Sequence, residues 1–276
     1  MKNYLVSSKL LALALIISIG ILNSSCDKEN KDEKPELPPV ESLVMDFSDF
    51  NSNPTQTKGI VTTYDNFVYS FYTVAFWSSI STGSISLPVA AYAYMMDKEG
   101  EYIGDNSWQW TYQFTYEQSS ITATLTAERI DNEQFSMEMV IESPNSPDGF
   151  KWFDGVIRYD HTAASWNVYK YDQTVPPTAT KMLEVSWTKD YEEETSSLTY
   201  TYVYPGQNET GSYITFGKDP SLDYNAWYTI SLTSGMVEIQ WDTETKAGRV
   251  KSENHFEDTN WHCWIGDLQD ITCPAL

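Results

Sequence analysis

The sequence predicts a mainly β domain. Its plan is an antiparallel meander of about ten strands, closed into a barrel or strongly curved half-barrel, with an N-terminal helical segment packed on or in it. Three observations lead there. After residue 106, apolar and polar residues alternate with a period of two, run after run. The gaps between runs are short and hold turn residues, leaving no room for crossover helices, so neighbouring strands are antiparallel. Residues 64–96 break the rhythm with an apolar stretch of helical spacing.

The elements follow in order. In YDNFVYSFYTVAFWSSIST, residues 64–82, Phe67, Phe71 and Val74 recur at helical intervals, and Asp65 or Asn66 is placed to cap the start. A break near Gly83 or Pro88 divides the segment, and the apolar run Val89 to Met96 forms a second helical piece; strands are the alternative for so aromatic and β-branched a stretch. In SWQWTYQFTYE, Trp108, Trp110, Tyr112, Phe114 and Tyr116 share one face, against Gln109, Thr111, Gln113 and Thr115 on the other. Ile121–Ala127 and Phe135–Ile141 alternate in the same way. Seven further runs reach Trp241. Turn chemistry separates them at Ile130–Glu133, Ser146–Gly149, Pro205–Gly206 and Thr233–Gly235, and Asp190–Glu194 is a solvated hairpin tip. Ten strands leave two open edges unless the sheet closes, and the apolar helical segment is the natural filler of its hollow side.

The chain before this domain carries a different message. Lys2 and Lys9 precede Leu10–Leu22, thirteen residues without a charge. That is too short to span a bilayer and fits the core of a signal peptide, residues 1–25. Asn23-Ser24-Ser25 then lead into Cys26 and the charged run Asp27–Glu33. This stretch resembles the lipobox and export tag of bacterial lipoproteins. The resemblance implies a lipid on Cys26 and anchoring at the outer membrane or cell surface. Residues 26–41, with six acids, three lysines and three prolines, are expected as an acidic linker, and residues 42–276 as one β-rich domain.

The net charge of −22 becomes −24 once Lys2 and Lys9 leave with the leader. Such a balance speaks against nucleic acid as a partner and against docking on anionic lipid. With Cys26 assigned to lipid, Cys263 and Cys273 form an even pair outside the cytosol, where disulfides persist. The alternative is a metal site from His255, Asp258, His262 and Cys263, although zinc spacings are tighter.

Catalytic signatures are sparse. There is no G-x-S-x-G elbow, no P-loop, no G-x-G-x-x-G and no calcium loop. Asp154 and Glu238 are the least exposed-looking carboxylates for a glycosidase pair, though alternation turns Glu238 to solvent. No catalytic residue, metal or cofactor is expected. The unusual property is the aromatic load of 10 Trp, 19 Tyr and 11 Phe. It fits a packed β core, an apolar ligand cavity or a sugar-stacking surface. Candidate ligand-facing rings are Trp108, Trp110, Tyr112, Phe114, Tyr116, Phe71 and Trp77.

The segments NFVYSFYTVAFW, LPVAAYAY, WQWTY, FKWFDG and GRVK…WHCWIGDLQDITC resemble a group of Bacteroidota lipoproteins with no assigned activity. The meander-plus-helix plan is similar to that of periplasmic lipoprotein carriers, whose unclosed barrel and helical lid hold acyl chains. Together these give the functional expectation: a membrane-anchored lipoprotein with a non-catalytic binding domain for an apolar or amphipathic small molecule. A carbohydrate-binding or adhesive surface module is the alternative, and a glycoside hydrolase the second.

Overall fold

A computed structural model describes residues 34–51, 63–116, 118–144, 146–172 and 178–274. The leader, Cys26 and the charged run to Glu33 lie outside these residues. Fourteen strands form one antiparallel sheet in strict sequence order, β1 (Glu101–Gly104) to β14 (Asp270–Ile271). The sheet is a meander, as the alternation predicts. It is not a barrel, because β1 and β14 are not paired with each other. The strand count exceeds ten because β1, β12 (Gly248–Lys251), β13 (His262–Trp264) and β14 are too short to show a period of two.

Helix α1 spans Asp65–Met96 and bends by 59° at the break between Gly83 and Ile85. Pro88 lacks the N–H that would bond the carbonyl of residue 84, so the ladder fails where the glycine also loosens it. The expected cap at Asp65 or Asn66 is not local. The carboxylate of Asp270 in β14 accepts the backbone N–H of both residues, at 2.9 and 3.1 Å. Among the described residues, no single helix is long and apolar enough to cross a membrane.

One face of the sheet, here the inner face, carries α1 and an N-terminal strap, residues 34–51. The N-terminal half of α1 lies on β12–β14, where Phe67 meets Trp264 edge to face. Its C-terminal half lies on β2 (Ser107–Tyr116) and β3 (Ser119–Arg129), where Tyr94 stacks on Tyr112 at 3.9 Å. The strap crosses the strands between β5 (Ser146–Arg158) and β11 (Gly235–Trp241). Residues 34–41, expected as the end of the linker, therefore belong to the folded unit, and Pro35 and Pro38 are buried. Leu37, Val40, Leu43, Val44 and Met45 carry the segment onto the core.

The turn expected at Ser146–Gly149 is a bulge at the start of β5. Ser143 pairs with Ser146 and Ile141 with Phe150, so residues 147–149 stand against Glu142 alone, two residues are extra, and Gly149 takes φ +73°. The tip at residues 191–194 is a turn as expected, with Asp190 Oδ1 accepting the N–H groups of Glu192 and Glu193. Cys263 and Cys273 are joined, fastening β13 to the chain just past β14.

Candidate functional site

The strap explains the aromatic load. A peptide lying across a sheet cannot join its ladders, so its carbonyls and N–H groups need partners from side chains. The inner face supplies them with ring tips, in chain order. Trp166 Nε1 of β6 (Ala163–Asp172) donates to Ser42 O at 2.9 Å. Tyr200 Oη of β8 (Thr195–Tyr202) donates to Leu43 O and accepts Met45 N–H, both at 2.7 Å. Tyr228 Oη of β10 (Ala226–Leu232) donates to Asp46 O. Trp241 Nε1 of β11 donates to Asp49 Oδ2 at 2.8 Å. From the helix side, Tyr92 Oη donates to Pro38 O. Burial pushes the Tyr92, Tyr200 and Tyr228 phenols far above their ordinary value, so all three remain neutral donors. At Gly155 a Cβ would sit 2.3 Å from the Trp166 ring, so only glycine lets that indole lie flat over the strand and reach Ser42.

The expected ligand-facing rings separate into two groups. Trp77, Trp108 and Trp110 are buried core. Phe71, Tyr112 and Phe114 are half-buried, and Tyr116 is 48% exposed. Tyr94, Tyr112 and Phe114 form a continuous stack with centroid spacings of 3.9 and 5.3 Å, and Lys98 Nζ sits 4.6 Å from the Tyr94 ring centre. Their ring faces are largely spent on one another, which leaves little for a sugar.

Two openings adjoin the strap. A cavity of about 270 Å³ is walled by Phe50, Phe67, Trp241 and Trp264. Its polar groups satisfy each other, since Lys246 Nζ and Trp241 Nε1 both bond the Asp49 carboxylate. The larger opening is a groove of about 530 Å³ between the strap and the bent middle of α1. Met45, Phe47 and Ile85 form its buried apolar floor, and Val40, Val44 and Val89 are half-buried along it. Ser78, Thr82 and Ser86 add hydroxyls, and Glu41 and Asp46 add charge. Sequence reasoning missed this groove because half of it is the strap.

The acidic candidates lie on the outer face. Asp154 accepts from Asn167 Nδ2 (2.6 Å), Lys151 Nζ (2.9 Å) and Tyr169 Oη (2.9 Å). Burial works to raise its pKa, but these three bonds outweigh it and hold the carboxyl below its ordinary value. Its cross-strand neighbour Glu138 pairs with the same lysine at 2.6 Å. A glycosidase acid needs a raised pKa, and Asp154, held by Lys151, has the opposite environment. Glu238 faces outward as expected and pairs with Lys251 at 2.5 Å. It lies six strands from Asp154, about 29 Å across a sheet at ~4.8 Å per strand, too far for two carboxylates to share one bond.

The suggested metal ligands serve other partners. His255 stacks on Tyr69 at 3.7 Å, His262 stacks on Phe256 at 3.7 Å and contacts Asp258, and Cys263 is in the disulfide. No protein-family model, curated protein or solved structure matches the chain.

Proposed function

We propose that this chain is a lipid-anchored exported bacterial protein whose β domain binds an amphipathic small molecule and performs no catalysis. The observation that carries it is the strap–helix groove, with an apolar floor and a rim of hydroxyls and carboxylates. A ligand with an acyl or ring body and a neutral or cationic head matches that lining. The anchor rests on Cys26 behind its apolar leader.

The half-barrel belongs to the same proposal. A flat sheet would place β2 and β13 about 53 Å apart at ~4.8 Å per strand. The ends of α1 touch both, yet a helix of its length with a 59° bend spans only about 41 Å at 1.5 Å per residue. Bending of the sheet around α1 closes the gap and sets the strap against the helix, which forms the groove.

Native mass spectrometry of protein purified from its membrane in mild detergent is expected to show a bound amphipathic species. Thr82→Trp with Ser86→Trp, at exposed positions along the groove, is expected to fill it and abolish the adduct while the melting temperature holds. No adduct, together with no uptake of a fluorescent fatty acid, would sink the proposal. Cys26→Ala is expected to move the protein from the detergent phase to the aqueous phase.

A further inference from the structure

The first edge of the sheet is open. β1 pairs with β2 at Ser107–Gln109, and beyond that no backbone partner occupies the outer side of Trp110–Tyr116 among the described residues. Exposed edges are commonly protected by charge, proline or shortness. β2 has none of these: its ten residues, SWQWTYQFTY, carry no charge in a chain of net charge −22. The other strands without Asp, Glu, Lys or Arg, β8, β10 and the three-residue β13, have partners on both sides.

We propose that this edge pairs with the same edge of a second copy, antiparallel about a two-fold axis at Gln113, joining two sheets into one. The free length is seven residues, bounded by β1 at one end and by the turn after Tyr116 at the other. A two-fold pairing centred on Gln113 uses all seven. On the inner face it sets Trp110 opposite Tyr116 of the second copy and Tyr112 opposite Phe114. On the outer face it sets Thr111 opposite Thr115 and Gln113 opposite itself. Every pair matches in kind: aromatic with aromatic, hydroxyl with hydroxyl, amide with amide, the combinations that stabilise cross-strand neighbours. The strand is its own complement in this register. It also brings two strongly acidic molecules together along a neutral strip, where like-charge repulsion is least.

The test uses the full chain carrying Cys26→Ser, so that the remaining native cysteines are the disulfide pair. Light scattering is expected to give twice the 31.5 kDa of one chain. Gln113→Lys, on an exposed outer position, sets two lysines face to face and is expected to weaken the dimer about 100-fold, with the stability of the dilute monomer unchanged. Facing residues have Cα atoms about 4.5–5.5 Å apart, within disulfide reach. Gln113→Cys should therefore oxidise to a covalent dimer. Thr111→Cys alone should not, whereas a mixture of Thr111→Cys and Thr115→Cys chains should. A monomer at every concentration overturns the proposal. So does a dimer that Gln113→Cys fails to cross-link.

Discussion

The two edges of this sheet end in opposite ways. At the far edge the strands shrink to four, three and two residues. Asp270 of the last strand caps α1, Asn66 Nδ2 bonds Cys263 O, and the disulfide ties the end down. At the near edge β2 runs ten residues, seven of them without a partner on their outer side among the described residues, with half-exposed aromatic side chains. Both edges touch the same helix, so the difference does not come from the helix. It comes from where polar and covalent fasteners are placed: one edge is finished within the molecule, and the other is left complementary to itself.

Four changes would break or sharpen this contrast. The largest effect is expected at neither edge. Tyr200→Phe orphans a strap carbonyl and a strap N–H in the core, at a cost of about 4 kcal/mol, read from urea unfolding. Cys263→Ser with Cys273→Ser is expected to cost about 2–3 kcal/mol for a loop of this size and to melt the far edge first. Asp270→Ala leaves two helix N–H groups without their acceptor and should cost about 1–2 kcal/mol, with hydrogen exchange rising at the first turn of α1. Gln113→Lys should change monomer stability by no more than about 0.5 kcal/mol while abolishing assembly; a large loss of stability there would mean that the near edge is also fastened internally.

An acid titration separates the edges from the sheet between them. Asp154 has a depressed pKa in the fold, so its contribution is fully present above the unfolded carboxyl value of about 3.9 and is lost as pH falls through the lower folded value. Asp154→Asn should flatten the acid limb of the stability curve. If the limb were unchanged, the Lys151–Asp154–Glu138 bridge would be energetically idle.

Features set by local period or local chemistry were legible in the sequence. The helix bounds, the long strands, the outward turn of Glu238 and the hairpin tip at Asp190–Glu194 all follow from residues within a few positions. What was not legible depends on distance along the chain. The strap has no period of its own, and its partners Trp166, Tyr200 and Trp241 lie 124 to 192 residues away. The helix cap comes from 205 residues away. Closure of the sheet was expected because edges are a liability; the far edge instead solves that problem with a shortened, stapled ending. The aromatic load was legible as core packing; that several ring tips bond the chain's own backbone was not.

The strap also sets an order of events. It precedes the sheet in the chain, yet its bonding partners are spread from β6 to β11. A chain emerging from its N-terminus cannot complete the bonds of residues 34–51 until Trp241 has appeared, and closing contacts of that span is slow. The segment made first is thus among the last to settle. Export as proposed above would suit such a chain, which stays pliable until its last strands are made and completes itself only then.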